Sequence, residues 1–189
     1  MTISSQKGNQ VSGHLAGRDV LVTHNTYTTE TAKGYVALLY ERLRHEGTHT
    51  DTLTAAAFIE ELQHFLDKPA SEVSRTLADK LKASGRTNLI PFAEAEKERA
   101  MKKIMRFQTS ETAQQIFACV LSDLRNRFLL HVSPLLAENA SRSEVDAAMH
   151  DKVIAPVAHS MEPSPLSLDP GMVMAMLFYL AGNCHIKWD

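Results

Sequence analysis

Apolar residues along most of this chain recur three and four positions apart. Val36, Leu39, Tyr40 and Leu43 follow i, i+3, i+4, i+7, which places them on one face of a helix. Gly47 is expected to end it. Phe58, Leu62, Phe65 and Leu66 repeat the pattern until Pro69, which cannot continue a helix. Val73, Leu77 and Leu81 predict a third, short helix closed by Gly85. The stretch "TNLIPF" reads as an extended connector, because Ile90 precedes a proline.

Longer helices are expected beyond it. One covers residues 93–107. The next starts near "TSET", carries Ile116, Val120, Leu124 and Phe128 at spacings of four, and breaks or kinks at Ser133 and Pro134. Ser143 with Asp146 three residues on resembles a capping box, opening a helix through Val145, Met149 and Val153 that Pro156 bends. "MEPSPLSLDPG" is a loop. It hands over to a last helix with Asp169 at the N-cap, Pro170 at the first helical position, and Gly182 and Asn183 at the C-terminal cap. That helix has almost no polar face, so it must be buried, in its own core or in a partner.

Residues 9–24 follow a different rule. Gly13 and Gly17 supply turn or bulge positions, Asp19 closes the turn "AGRD", and Val20, Leu21 and Val22 favour an extended chain. The predicted class is therefore mainly α. A glycine-rich β-hairpin or extended arm (residues 1–28) precedes a single helical domain (residues 29–189) that ends in a short extended tail.

Composition narrows the function only slightly. Of 189 residues, 44% are hydrophobic and 22% charged, and the formal net charge of −2 gives no global attraction to nucleic acid or an anionic membrane. Cys119 and Cys184 are too few for a disulfide framework. The start "MTISSQKGNQ" lacks the basic and apolar regions of a secretory signal. The longest apolar run, residues 172–181, is half of the about 20 residues that a membrane span needs. A cytoplasmic protein without membrane contact is expected.

The closing "GNCHIKWD" puts a cysteine beside a histidine. In an extended chain Cys184, Ile186 and Trp188 share one face, and His185 shares the other with Lys187. That arrangement predicts an apolar anchor for the C-terminus in preference to a thiol enzyme, because a nucleophile and its base must be within hydrogen-bond reach. Zinc spacing such as C-x₂-C is missing, Gly47 separates His45 from His49, and His150 and His159 are nine apart. A zinc site would have to be assembled from distant histidines and Cys184. No phosphate loop, dinucleotide fingerprint, nucleophile elbow or H-E-x-x-H occurs, so no catalytic residue, cofactor or metal ligand is assigned. In "EKERAMKKIMR", Arg99, Lys102, Lys103 and Arg106 form one cationic helix face, tempered by Glu94, Glu96 and Glu98. Met101, Ile104, Met105 and Phe107 are expected on its inward side. Such a face suits phosphates or an acidic partner, which leaves a small DNA-associated subunit as an alternative reading.

The two ends together carry a resemblance. "GNQVSGHLAGRDVLV", with Gly13, Gly17 and Asp19, is similar to a segment that opens C-terminal domains of bacterial ABC three-component systems. "MVMAMLFYLAGNCHIKW", with Gly182, Asn183, Cys184, His185 and Trp188, resembles the closing helix and tail of the same domains. The resemblance implies a non-catalytic adaptor that couples an effector to an SMC- or RecN-like ABC ATPase and a middle component, in defence against phage and other invaders. The chain begins almost directly with the glycine-rich segment. A standalone coupling subunit, or one whose effector is separately encoded, is the resulting expectation.

Overall fold

A computed structural model describes residues 29–46, 58–67 and 75–188. The arm with Gly13, Gly17 and Asp19 lies outside the described residues, as do the expected helix stops Gly47 and Pro69. Helix α1 (Thr29–Glu46) buries Val36, Leu39 and Tyr40, the face their spacing predicts. Helix α2 (Glu60–Leu66) buries Leu62 and Phe65. Helix α3 (Leu77–Ala83) opens on a Thr76–Asp79 capping box and closes through Gly85, whose φ of +70° suits a residue without a Cβ.

Helix α4 (Ile90–Arg106) starts earlier than the sequence suggests. Ile90 and Pro91 lie in its first turn, after a 3₁₀ turn at Thr87–Leu89, and are not part of an extended connector. A first-turn proline lacks only an N–H that would have no helical partner, so it opens the helix instead of excluding it. Helix α5 (Glu111–His131) is capped by Ser110, whose hydroxyl accepts the Ala113 N–H at 3.1 Å. The helix breaks at Val132, and Ser133 and Pro134 open α6 (Ser133–Ala137).

Helix α7 (Arg142–Ala148) has its capping box at Ser141 and Glu144, two residues ahead of the predicted pair. Asp146 instead turns to Arg86, with Oδ1 2.7 Å from Nη2. The chain then widens into a π-helical turn (Met149–Ile154) before α8 (Ala155–Ser160). The widening lies just ahead of Pro156, whose missing N–H interrupts the α ladder. Helix α9 (Pro170–Gly182) begins where predicted, with the Asp169 carboxylate accepting the Met172 N–H at 2.7 Å.

Helices α5 and α9 form the centre. Helix α9 runs along α4 in the most extensive helix pairing and also packs on α5, α8 and α3, while α1 and α2 cover other sides of α5. Every residue from Ala175 to Gly182 is buried, so the apolar last helix is enclosed by this chain's own core. Tyr40 ties α1 to the end of α8, donating its hydroxyl to the Met161 carbonyl at 2.9 Å. No strand occurs among the described residues, and the helices make a single domain with a non-helical tail.

Candidate functional site

Helix α9 ends in a Schellman motif. The Cys184 N–H reaches the Ala181 carbonyl at 3.3 Å and the His185 N–H reaches the Leu180 carbonyl at 2.9 Å. Cys184 occupies the left-handed position, with φ 65°, and Asn183 is the C-cap. The tail therefore departs from the alternation of an extended strand. A left-handed residue reverses the chain, and Cys184, His185, Ile186 and Trp188 are all buried. His185 does not share an exposed face with Lys187, as strand geometry would require. Gly182 has a different role from the expected C-terminal cap. It sits inside the helix, where a Cβ would come within 2.7 Å of Lys97 Cδ and Cε.

Three side chains of the tail then meet carbonyls from an earlier part of the chain. Asn183 Nδ2 donates to Phe65 O at 3.1 Å, Cys184 Sγ to Arg75 O at 3.7 Å, and His185 Nε2 to Asp67 O at 3.0 Å. A carbonyl can only accept, so Nε2 of His185 carries the proton. Burial lowers the imidazole pKa below its ordinary value, against the opposing pull of that hydrogen bond, and favours the neutral ring. Lys80, 2% exposed, donates Nζ to Ala181 O at 2.6 Å. Trp188 stacks on Phe178 with centroids 5.8 Å apart and rings 7° from parallel, and the Arg86 guanidinium lies 5.5 Å from its ring centroid. These contacts form a clasp joining α2, α3 and α9. The thiol and imidazole donate to separate backbone carbonyls, which anchors them and forms no nucleophile–base pair.

The cationic face of α4 is where the sequence places it, but its inward side differs. Ala93, Ala100 and Ile104 make the buried face, whereas Met101 and Met105 are 53% and 40% exposed. Arg99 pairs with Glu96 at 3.0 Å, Lys102 with Glu98 at 2.6 Å, and Lys103 Nζ lies 5.6 Å from the Phe107 ring centroid. Arg106 is exposed.

A groove of about 320 Å³ opens beside this face, between the π turn, α8 and the start of α9. Ile154, Ala158, Pro170 and Met174 line it, with His150 and His159 also on its wall. The hydrophobic periodicity carries no trace of it. A smaller cleft of about 260 Å³ lies among Tyr35, Ile59, Glu111 and Cys119, where burial and then Asp123 raise the Cys119 pKa. Among the described residues, no three histidine, cysteine or acidic side chains gather closely enough to hold a metal ion. No helix among them is long and apolar enough to cross a membrane.

A family model described as C-terminal domain 9 of the ABC-three component (ABC-3C) systems matches residues 76–188. The chain belongs to this family. It is thus a component of an ABC-3C system, in agreement with the resemblance read from its ends. No curated protein matches it, and no solved structure does. The ABC-3C match runs from the N-cap of α3, Thr76, to the clasp residue Trp188. Phe65 and Asp67 precede the matched segment, yet they supply the carbonyls that hold Asn183 and His185.

Proposed function

We propose that this chain is a non-catalytic adaptor of its ABC-3C system. It couples an effector to an SMC- or RecN-like ABC ATPase and a middle component, in defence against phage and other invading elements. The family membership carries this reading. The clasp supports it, because the cysteine and histidine that offered the best catalytic pair are hydrogen-bonded to backbone and buried. A DNA-associated role for the Arg99–Arg106 face has less support. That face interleaves with Glu96 and Glu98 and adjoins an apolar groove, for which phosphates have no use.

The test is co-expression of the tagged chain with the ATPase and middle component encoded beside it, followed by affinity capture and assays on the purified chain. A stable complex and no nuclease or peptidase activity are expected. Failure to capture either component, or activity that purifies with the chain alone, overturns the reading.

A further inference from the structure

The cleft between α1, the start of α2 and α5 carries charge of one sign. Glu61 and Glu111 stand on its walls, and among the described residues no lysine, arginine or histidine lines it. Neither glutamate forms an ion pair among them. Glu111 accepts the neutral amide of Gln115, whose Nε2 lies 3.2 Å from Oε1. Asp123, which bears on the Cys119 thiol, is bound to Arg127 at 2.8 Å and leaves that balance unchanged. Ile59, Ala118 and the exposed Tyr35 ring supply apolar wall, and Leu38, one turn along α1, continues it in the open.

A second observation, independent of the carboxylates, concerns Gln115 on the same wall. Its amide oxygen is buried and has no hydrogen-bond donor. Buried acceptors are nearly always satisfied, so an orphan beside a cleft marks a missing donor. Ammonium and guanidinium groups donate only, and their charge is opposite to that of the two glutamates.

We propose that this cleft takes a lysine or arginine side chain of another component of the ABC-3C system, on a segment whose apolar residues lie over Tyr35 and Leu38. The assignment rests on the adaptor reading and names the chemistry of its partner. The cation sits between Glu61 and Glu111, one N–H meets Gln115 Oε1, and the aliphatic stem runs over Ile59 and Ala118. About 260 Å³ has room for one long side chain. An anionic ligand, nucleic acid included, meets two unpaired carboxylates and is repelled.

The experiment uses the full chain with its co-expressed ATPase and middle component. p-Benzoylphenylalanine replaces Tyr35, which keeps an aromatic ring at the rim, and the photo-adduct is mapped by mass spectrometry. The expected adduct lies on a partner segment with Lys or Arg among apolar residues. Glu61→Lys combined with Glu111→Lys should weaken the complex by about tenfold or more, while its circular dichroism melt stays near that of the parent. Gln115→Met separates binding from folding. It removes the orphan acceptor, so the melt of the free chain should hold or rise, yet the complex should weaken. A complex that ignores both variants, or an adduct on a segment without basic residues, on nucleic acid or on this chain itself, overturns the docking assignment and leaves the adaptor reading standing. The absence of any complex overturns both.

Discussion

Lys80 Nζ lies 2.6 Å from the carbonyl oxygen of Ala181 and 3.4 Å from that of Ile186, joining α3 to the end of α9 and to the tail beyond it. The last carbonyls of a helix have no intrahelical donor, and a basic group suits the negative end of the helix dipole. The Ala181 carbonyl keeps the Cys184 N–H, so removing Nζ costs the hydrogen bond from the charged donor, about 1.5–3 kcal/mol. Lys80→Ala should therefore destabilise the fold by at least about that amount, because the packed stem is lost as well. Lys80→Met keeps most of the stem and should cost less than Lys80→Ala. Urea denaturation of both variants checks the order, and equal stability of parent and Lys80→Ala would refute the clasp.

His185 makes the clasp sensitive to acid. Its folded pKa is lowered, chiefly by burial, from an ordinary value of 6.5. The unfolded chain then binds a proton more readily than the folded one, so stability from this residue is fully present above pH 6.5. It is lost as pH falls through the window between 6.5 and the depressed folded value. Melting temperatures measured from pH 7.5 to 5 should fall, and His185→Gln, which retains a side-chain N–H donor, should flatten part of that slope. An unchanged slope in the variant would mean that His185 does not titrate with folding.

Cys184 inverts the usual order of side-chain truncation. A buried cysteine normally tolerates Ala better than Gly, but here φ is 65°, a conformation that costs a residue with a Cβ roughly 1–2 kcal/mol. Cys184→Ala loses the sulfur contact with the Arg75 carbonyl and keeps the strain, whereas Cys184→Gly loses both. Cys184→Gly should therefore be the more stable variant. Thiol labelling of the native protein should also spare Cys184, which is 6% exposed, until denaturant is added. Rapid labelling of Cys184 in native buffer would revive the thiol-enzyme reading.

The helices were legible where packing demands a period. Val36, Leu39 and Tyr40 on α1 and the apolar α9 are buried as their spacing requires, because a helix has one way to hide such a stripe. Errors fall where two local signals compete. Pro91 both disfavours helix at Ile90 and favours the first turn of a helix, and tertiary packing chose the second. Ser141 and Ser143 each precede an acid by three residues, and only Asp146 has Arg86 waiting across the interface. The tail shows the same limit. Alternation predicts an anchor at Cys184, Ile186 and Trp188, and all three are buried, but nothing local announces a cysteine in the left-handed conformation. The groove was invisible because it depends on how α8 and α9 meet, and no single segment encodes that.

Trp188 offers the most direct readout of the clasp. It is the only tryptophan in the chain, so intrinsic fluorescence excited at the indole band reports the tail alone. The ring is 3% exposed, stacks on Phe178 and lies beneath the Arg86 guanidinium. Native emission should be blue-shifted and should move to the red in one step with global unfolding. Trp188→Ala should cost about 3–5 kcal/mol, the range for deleting a fully buried large aromatic. Trp188→Phe should cost less, since stacking on Phe178 survives and the buried Nε1, which has no hydrogen-bond partner, is removed. Arg86→Met should shift the native emission while leaving the stack in place, because it removes the cation over the ring and the Asp146 pair together. A native spectrum already red-shifted, or a Trp188→Ala variant as stable as the parent, would show that the tail does not fasten the fold.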